Sequence, residues 1–308
     1  MIAFLFPGQG SQKVGMGKAL ADTHAICRDT FAEADAALGF SLSQLCFEGP
    51  EDRLTLTENQ QPAILTVSVA AYRLVAQSGL KASFVAGHSL GEYSANVAAG
   101  TLSFADAVRA VRNRGRYMQE AVPVGTGAMS AIIGLEAAIV AQACAEAANG
   151  DIVTPANMNG AGQVVIAGSK DAVARAGERA KALGARRVVP LPVSAPFHCQ
   201  LMKPAEERLA PELRALTVHD PNPPVVANVD ATPKRTGAEA VDALVAQICS
   251  PVRWEDVVRR LASEGVTTYV EIGPGTVLSG MVRRIVKDAT VANVATPDDL
   301  SSLEALRV

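Results

Sequence analysis

The sequence predicts an α/β fold with a mainly parallel sheet, helices on both of its faces and a smaller subdomain inserted near the middle of the chain. Short apolar runs that end at Gly or Pro alternate with longer stretches of helical character. This alternation is typical of parallel sheets, whose strands are buried on both faces. A hydrophobic fraction of 49% in 308 residues provides enough apolar surface for the large core of such a fold.

The elements of the main sheet are predicted in order along the chain. Residues 2–6 form an apolar run stopped by Pro7-Gly8, which indicates a buried strand. Further strands are predicted at 84–87, 225–228 and 268–272. Helices are predicted at 16–20, 30–38, 62–77, 90–99, 201–216, 238–248, 254–264 and 281–286, and one more begins at Ser103, whose spacing to Asp106 resembles a capping box.

A change of rhythm marks the inserted subdomain. Strands are predicted at 128–134, 153–158, 163–167 and 187–191, and helices at 136–148 and from a Ser169 cap to 183. The order β-α-β-β-α-β is that of a ferredoxin-like unit. We therefore predict a large catalytic subdomain of residues 1–124 and 193–308 and a small ferredoxin-like subdomain of residues 125–192.

Composition excludes several classes of protein. The formal net charge of −3 gives no general attraction to nucleic acid, and no apolar run reaches the length of a membrane span. The five cysteines are scattered and lack metal-ligand spacing, which is typical of free thiols in a reducing compartment. The chain starts without a basic leader followed by a long apolar stretch, so we expect a cytoplasmic protein.

The pentapeptide Gly87-His88-Ser89-Leu90-Gly91 matches the G-x-S-x-G nucleophile elbow. A predicted strand precedes it and a predicted helix follows it, which is the context that this motif requires. The glycines permit a tight turn, so the Ser89 hydroxyl would project clear of the sheet. The backbone N–H of Leu90 would lie at a helix N-terminus, where it can donate to a developing oxyanion.

A serine nucleophile needs a base, and the chain contains four histidines. His88 adjoins the serine on a turn where side chains diverge, while His24 and His219 are expected in solvent. His198 follows a predicted strand, where α/β folds place catalytic groups, so we favour it as the base. The third member of a catalytic triad would be an acidic residue that orients the histidine. The candidates between Ser89 and His198 are Asp151, Asp171 and Glu178, and a backbone or amide carbonyl is the alternative.

Two further residues are candidates for the pocket. Arg114 lies on the helix after the elbow helix and would hold a carboxylate by two parallel hydrogen bonds, although its spacing does not separate it from Arg109, Arg112 and Arg116. Gln9 lies in the loop after the first strand and would offer a second oxyanion N–H. A dinucleotide loop at Gly8-x-Gly10 is the weaker interpretation, because Lys13 replaces the third glycine.

Several separated motifs, in this order, make the chain similar to the malonyl-CoA:acyl carrier protein transacylase family over nearly its whole length. The motifs are Phe6-Pro7-Gly8-Gln9-Gly10-Ser11-Gln12, Gly87-His88-Ser89-Leu90-Gly91-Glu92-Tyr93, Arg114 with Met118-Gln119, Asn157-x-Asn159-Gly160, Ser194-x-Pro196-Phe197-His198, Gln247 and Glu271-Ile272-Gly273-Pro274-Gly275. The resemblance implies a hydrolase-like core carrying a ferredoxin-like insert.

The resemblance also implies the site roles. Ser89 would be the acylated nucleophile and His198 its general acid/base, with the N–H groups of Gln9 and Leu90 as the oxyanion hole. Arg114 would pair with the malonyl carboxylate. The main-chain carbonyl of Gln247 would orient His198. Family members that accept malonyl carry Phe before this histidine, as Phe197 does, and methylmalonyl-selective members commonly carry Ser there.

The implied reaction moves a malonyl group from malonyl-CoA to the phosphopantetheine thiol of acyl carrier protein. It needs no metal or redox cofactor, and no nucleic-acid or membrane partner is expected; a monomer is the default. A thioesterase or esterase and a non-catalytic interaction subunit are the rivals. Fatty-acid synthesis, polyketide assembly and malonate decarboxylation remain open as pathways. Basic residues such as Lys181, Arg187 and Arg284 would suit an acidic carrier, but none is singled out.

Overall fold

Apolar strands form two separate sheets in the computed structural model, which describes residues 1–193, 195–304 and 306. Ser194, part of a motif above, lies outside the described residues. In chain order the strands are β1 (Ile2–Phe6), β2 (Phe84–Gly87), β3 (Gly127–Ile133), β4 (Val153–Gly160), β5 (Gln163–Ser169), β6 (Arg187–Pro190), β7 (Val225–Val226), β8 (Pro233–Lys234), β9 (Thr268–Ile272) and β10 (Thr290–Val294).

Helices cover both sheets. In chain order they are α1 (Lys18–Thr23), α2 (Ala25–Leu38), α3 (Leu42–Glu48), α4 (Glu51–Leu54), α5 (Thr57–Gln77), α6 (Gly91–Ala98), α7 (Phe104–Glu120), α8 (Ala137–Ala147), α9 (Lys170–Ala182), α10 (Lys203–Arg214), α11 (Gly237–Gln247), α12 (Trp254–Ser263), α13 (Val277–Ile285) and α14 (Ser301–Glu304), with short 3₁₀ turns at Gln200–Met202 and Pro297–Leu300.

The large sheet has the strand order β10-β9-β1-β2-β7-β8. Its first five strands are parallel, and only β8 pairs antiparallel with its neighbour β7. Alternate residues of β1 face opposite cores: Phe4 and Phe6 pack in one hydrophobic cluster, and Ala3 and Leu5 in the other. The predicted α/β class, with a mainly parallel sheet buried on both faces, is confirmed.

The small sheet has the order β4-β5-β3-β6, and each of its pairs is antiparallel. Helices α8 and α9 pack on it over a core of its own that includes Ile132, Val164 and Val173. The ferredoxin-like order is therefore present, with all four strands between residues 127 and 190. We propose that the division into 1–124 with 193–308 and 125–192 describes the subdomains.

Several elements differ from the sequence prediction. Helix α5 begins at Thr57 rather than at 62, because the polar side chains of its first turns are buried instead of solvated. Strand β10 and helices α3 and α4 were not predicted from the sequence. Ser103 accepts a hydrogen bond from the Asp106 N–H as expected. Ser169 is the N-cap residue of α9, as predicted, but its side chain makes no capping hydrogen bond.

Two backbone hydrogen bonds join the small sheet to the segment between α11 and α12. The N–H of Met158 in β4 donates to the Val252 carbonyl at 2.8 Å, and the Val252 N–H donates to the Ala156 carbonyl at 2.8 Å. This pairing ties β4 to the part of the chain that follows α11. Within the described residues, no helix has the length and apolar character needed to cross a membrane.

Candidate active site

The turn between β2 and α6 holds Ser89 in a left-handed backbone conformation, with φ at 51°. A turn this tight brings Gly87 and Gly91 together: a Cβ on Gly87 would lie 1.9 Å from the carbonyl carbon of Gly91. Only glycine fits such an approach. The turn therefore lifts the Ser89 side chain out of the sheet at the start of α6, as the nucleophile-elbow motif predicts.

Asn228, just after β7, braces both sides of this turn. Its Oδ1 accepts from the Ser89 N–H at 2.7 Å, and its Nδ2 donates to the Gly87 carbonyl at 2.8 Å. The Asn228 side chain is fully buried. These bonds satisfy backbone groups that the strained turn would otherwise leave unpaired.

His198 lies directly against the serine. The Ser89 Oγ is 2.7 Å from His198 Nε2, and His198 Nδ1 is 2.9 Å from the main-chain carbonyl oxygen of Gln247. A carbonyl only accepts, so Nδ1 carries the proton and Nε2 presents a lone pair to the serine hydroxyl. Burial, with the nearby Arg114 charge as a smaller cause, lowers the pKa of His198 to about 3, so the ring is neutral and able to accept a proton.

The acidic candidates for a third member lie elsewhere. Asp151 pairs with Arg175 at 2.9 Å, Glu178 pairs with Lys181 at 2.7 Å, and Asp171 is exposed in the first turn of α9. The group beside Nδ1 of His198 is the Gln247 carbonyl.

Arg114 of α7 is 2% exposed and faces the serine. Its Nη2 donates to Ser89 Oγ at 3.1 Å and to Gln247 Oε1 at 2.8 Å, and its Nη1 donates to Gln61 Oε1 at 2.8 Å. Its Nε is buried and has no hydrogen-bond acceptor among the residues that the structure describes. Burial lowers the pKa of Arg114, yet a guanidinium stays charged, so the site holds a cation with a donor to spare.

The other arginines of α7 make different contacts. Arg109 pairs with Asp106 at 2.7 Å, Arg112 donates to Asn59 Oδ1 at 2.7 Å, and Arg116 is exposed. The structure thus separates Arg114 from its neighbours, which the sequence spacing alone did not.

A cavity of about 130 Å³ lies at the Ser89 hydroxyl. Its lining includes Gln9, Gln61, His88, Ser89, Arg114, Met118, Met129, Asn157, Leu191, Val193, Phe197 and His198. Phe197 is buried beside the base. Ser89, His198 and Arg114, taken from distant parts of the sequence, therefore share one cavity.

The loop that carries Gln9 packs tightly against the elbow. A Cβ on Gly8 would lie 2.4 Å from the main-chain oxygen of His88, so this position also requires glycine. Leu90 immediately precedes α6, where the N–H groups of a first turn point out of the helix. Gln9 and Leu90 thus flank the serine.

The remaining histidines lie apart from the proton path. His88 Nε2 is 3.0 Å from Asn159 Oδ1, and its ring lies 5.5 Å from that of Trp254. His219 is exposed, as expected. His24 was expected in solvent, but its side chain is only partly exposed and its Nε2 is buried.

Sequence reasoning missed Gln61, Glu92 and Asn228 as parts of the site. The helix predicted at 62–77 leaves Gln61 just outside it, and the strand predicted at 225–228 ends at Asn228. Glu92 stood in a quoted motif without a role. A run of polar residues before an apolar helix, and a polar residue ending a buried strand, were the available signals. Within the described residues, no group of three or more His, Cys, Asp or Glu could hold a metal ion.

Comparison with known proteins gives a consistent family. The family described as "Acyl transferase domain" matches residues 3–301. The chain is 54% identical over 301 residues to a malonyl CoA-acyl carrier protein transacylase of Escherichia coli (strain K12), and the match covers 97% of each protein.

Solved structures agree with this assignment. An acyl carrier protein S-malonyltransferase from Vibrio cholerae matches with a TM-score of 0.96 at 49% identity, covering 98% of this chain and 99% of that one. A malonyl-transacylase in complex with its type II PKS acyl-carrier protein matches with a TM-score of 0.96 at 48% identity, covering 99% of each chain. The predicted resemblance is confirmed: the chain belongs to the acyl transferase family, among the malonyl CoA-acyl carrier protein transacylases.

Proposed function

We propose that this protein transfers a malonyl group from malonyl-CoA to the phosphopantetheine thiol of acyl carrier protein through a malonyl-Ser89 intermediate. The observation that carries the proposal is that a serine hydroxyl, a neutral imidazole and a buried guanidinium share one cavity. The Ser89 Oγ is 2.7 Å from His198 Nε2 and 3.1 Å from Arg114 Nη2. The relatives named above support the choice of substrate and acceptor.

The first half-reaction begins with proton transfer from Ser89 Oγ to His198 Nε2. The Gln247 carbonyl holds the imidazole in the tautomer that can accept this proton and stabilises the imidazolium that forms. The serine oxygen bonds to the thioester carbonyl carbon as the proton leaves it. The C–S bond then breaks, and His198 returns the proton to the departing coenzyme A sulfur.

Oxyanion stabilisation is assigned to the N–H groups of Gln9 and Leu90. Both residues flank Ser89, one in the loop that packs on the elbow and the other at the start of α6. Donors fixed before the reaction lower the barrier because no reorganisation is needed when charge develops. Removing one such donor typically costs about 3–4 kcal/mol of transition-state stabilisation.

The second half-reaction reverses these steps with a different thiol. His198 takes the proton of the phosphopantetheine thiol, whose sulfur bonds to the acyl-serine carbonyl carbon. The C–O bond breaks, and the proton returns to Ser89 Oγ. The two halves use the same base and the same donors, so ping-pong kinetics follow.

Arg114 is assigned the free carboxylate of the malonyl group. Its Nη2 lies beside the Ser89 hydroxyl, and the side chain lines the cavity while being only 2% exposed. A charge-assisted pair in such surroundings is stronger than one at the surface. An acyl group without a carboxylate would leave this cation unpaired and would therefore transfer less well.

Phe197 is assigned the exclusion of larger acyl groups. Its buried ring lines the cavity beside His198, in space that an α-methyl group would need. One methyl group is worth about 1–3 kcal/mol of discrimination, so partial use of methylmalonyl is expected. We further propose a cytoplasmic monomer that uses no metal or redox cofactor and serves fatty-acid or polyketide chain elongation.

Partition of the acyl-enzyme separates this function from a thioesterase. The protein is loaded with labelled malonyl-CoA, freed of coenzyme A and mixed with holo acyl carrier protein. Malonyl-carrier should form at least a hundredfold faster than free malonate. Free malonate as the main product would instead establish a hydrolase.

A further inference from the structure

A buried carboxylate lies behind the elbow, and the proposed mechanism gives it no step. Glu92, in the first turn of α6, is 1% exposed. Its Oε2 accepts from the Asn228 backbone N–H at 2.9 Å and from Gln247 Nε2 at 2.8 Å. Burying a carboxylate costs free energy unless hydrogen bonds replace those to water, so the contacts of Glu92 indicate what its burial achieves.

The Asn228 branch leads from Glu92 to the nucleophile. While its backbone N–H is held by the carboxylate, the Asn228 side chain binds the Ser89 N–H and the Gly87 carbonyl at 2.7 and 2.8 Å. Glu92 therefore positions Asn228, and Asn228 in turn holds both sides of the strained turn.

The Gln247 branch leads from Glu92 to the other two groups. Gln247 Nε2, held by the carboxylate, also donates to the Ser89 carbonyl at 3.0 Å. Its Oε1 accepts from Arg114 Nη2 at 2.8 Å, and its main-chain carbonyl faces His198 Nδ1 at 2.9 Å. Glu92 is thus one residue removed from each of the three groups assigned to the reaction.

The chemistry of these partners sets the direction of the Gln247 amide. Arg114 only donates hydrogen bonds. Burial raises the pKa of Glu92 to about 7, and its Oε2 accepts from Gln247 Nε2 whether the carboxyl is ionised or carries a proton on its other oxygen. An amide placed between the two must turn its oxygen to the guanidinium and its nitrogen to the carboxylate. Without Glu92 the longer contacts to the Ser89 carbonyl at 3.0 Å and to Asn228 Oδ1 at 3.5 Å would be left to hold Nε2, and a rotated amide would turn its NH₂ group toward the donors of Arg114.

We propose that Glu92 is a positioning residue that orients the Gln247 side-chain amide, anchors the Asn228 backbone and thereby holds Ser89, His198 and Arg114 in their mutual positions; the inference rests on the proposed function. It acts through other residues and does not touch the acyl group.

Three substitutions at Glu92 test this. Glu92→Leu removes the acceptor, Glu92→Asp keeps the charge but shortens its reach, and Glu92→Gln keeps an acceptor of the same size. Glu271→Leu and Glu271→Gln are matched controls. Glu271 is also 1% exposed and also accepts backbone N–H groups at a helix start, those of Leu278 and Ser279 at 3.1 and 2.7 Å.

Three quantities are measured for each variant: single-turnover acylation by malonyl-CoA, the same by acetyl-CoA, and inactivation by a fluorophosphonate. Thermal unfolding is followed alongside. We expect Glu92→Leu to slow malonylation at least ~100-fold and to lower the malonyl-to-acetyl ratio at least ~10-fold, since one buried amide contact has lost its direction. Glu92→Gln should stay within ~10-fold of the wild type, and both Glu271 variants within ~3-fold at a comparable loss of stability.

Equal rates for Glu92→Leu and Glu271→Leu would overturn the inference, and so would an unchanged malonyl-to-acetyl ratio. If Glu92→Leu does not fold, Glu92→Asp decides: a loss of at least ~10-fold supports the inference, and wild-type rates contradict it. The fluorophosphonate needs only Ser89 and His198. A wild-type protein that reacts with it but not with malonyl-CoA would refute the proposed function. The role of Glu92 would then still be tested by comparing the inactivation rates of the Glu92 variants with those of the Glu271 variants.

Discussion

The two walls of the cavity are built on opposite principles. The catalytic wall, which we define as Ser89, His198 and Arg114 with Gln247 behind them, is a continuous set of hydrogen bonds in which Ser89 is half-buried and the other three side chains are buried. The insert wall, which we define as Met129, Asn157 and Leu191, is mainly apolar and comes from the small sheet and the segment leaving it. Networks of buried polar groups fix geometry, so the catalytic wall positions the reacting groups, whereas the insert wall closes the cavity with mainly apolar surface.

The largest expected effect comes from removing the base from the catalytic wall. His198→Ala should slow acylation of Ser89 by malonyl-CoA on the order of 10⁴-fold, because proton transfer from the serine loses its acceptor. Single-turnover mass spectrometry measures the rate. The exposed His219→Ala is the control and should react like the wild type. Similar rates for the two variants would show that the catalytic wall does not depend on this imidazole.

Removing the cation should have a smaller and more selective effect. Arg114→Ala should lower kcat/KM for malonyl-CoA by about 100-fold, while acetyl transfer changes by less than about threefold, because only malonyl carries a second carboxylate. Arg116→Ala, on the exposed side of the same helix, should change neither. Equal losses for both acyl groups would mean that Arg114 only supports the wall and does not select the substrate.

Selectivity for size sharpens the comparison between the walls. Phe197→Ala should raise the methylmalonyl-to-malonyl ratio of kcat/KM by about tenfold or more, because the space of the ring becomes available to a methyl group. Met129→Ala, on the insert wall, should change this ratio by less than about threefold. Competition assays with both thioesters give the ratio directly. A larger change in Met129→Ala would move the control of size to the insert wall.

The smallest effect concerns pH. Burial lowers the pKa of His198 to about 3, so the base remains neutral as pH falls. Between pH 7.5 and 5.5, protonation of His198 should therefore change kcat/KM for Ser89 acylation by less than about twofold, whereas protonation of an ordinary histidine would lower it about tenfold. Stability, unlike the rate, should depend on pH in this range. The unfolded chain binds a proton on His198 more tightly than the folded protein does, so the contribution of His198 to the free energy of unfolding decreases as the pH is lowered through about 6.5. An acid limb centred near pH 6.5 would show that the imidazole is hydrated.

The sequence predicted the parts of the fold that are encoded locally. The elbow at Gly87–Gly91 is visible because five neighbouring residues carry it, and the insert because its strands and helices alternate in a known order. Helix α5 was predicted too short, since the burial of Gln61 depends on contacts with Arg114 in α7. Strand β10 was missed because its pairing with β9 is a tertiary contact.

The residues of the site likewise divide into those that local sequence patterns reveal and those that only long-range contacts reveal. Gln9, Ser89 and His198 stand in distinctive local patterns, and a family resemblance extends this to Arg114 and Gln247. Asn228 and Glu92 could not be found in this manner, because the hydrogen bonds that tie them to the site span 136 to 155 residues of the chain. Long-range hydrogen bonds leave no periodic trace in the sequence, so only a structure reveals the groups that position the catalytic wall.

The central claim is that Ser89 carries the malonyl group between two thiols. Wild-type protein and Ser89→Ala are each mixed with malonyl-CoA alone, examined by intact mass and peptide mapping, and then given holo acyl carrier protein. The wild type should gain one malonyl group on Ser89 and lose it as malonyl-carrier appears, while Ser89→Ala remains unlabelled and forms no malonyl-carrier. A malonyl group on any other residue, or transfer by Ser89→Ala, would contradict the account.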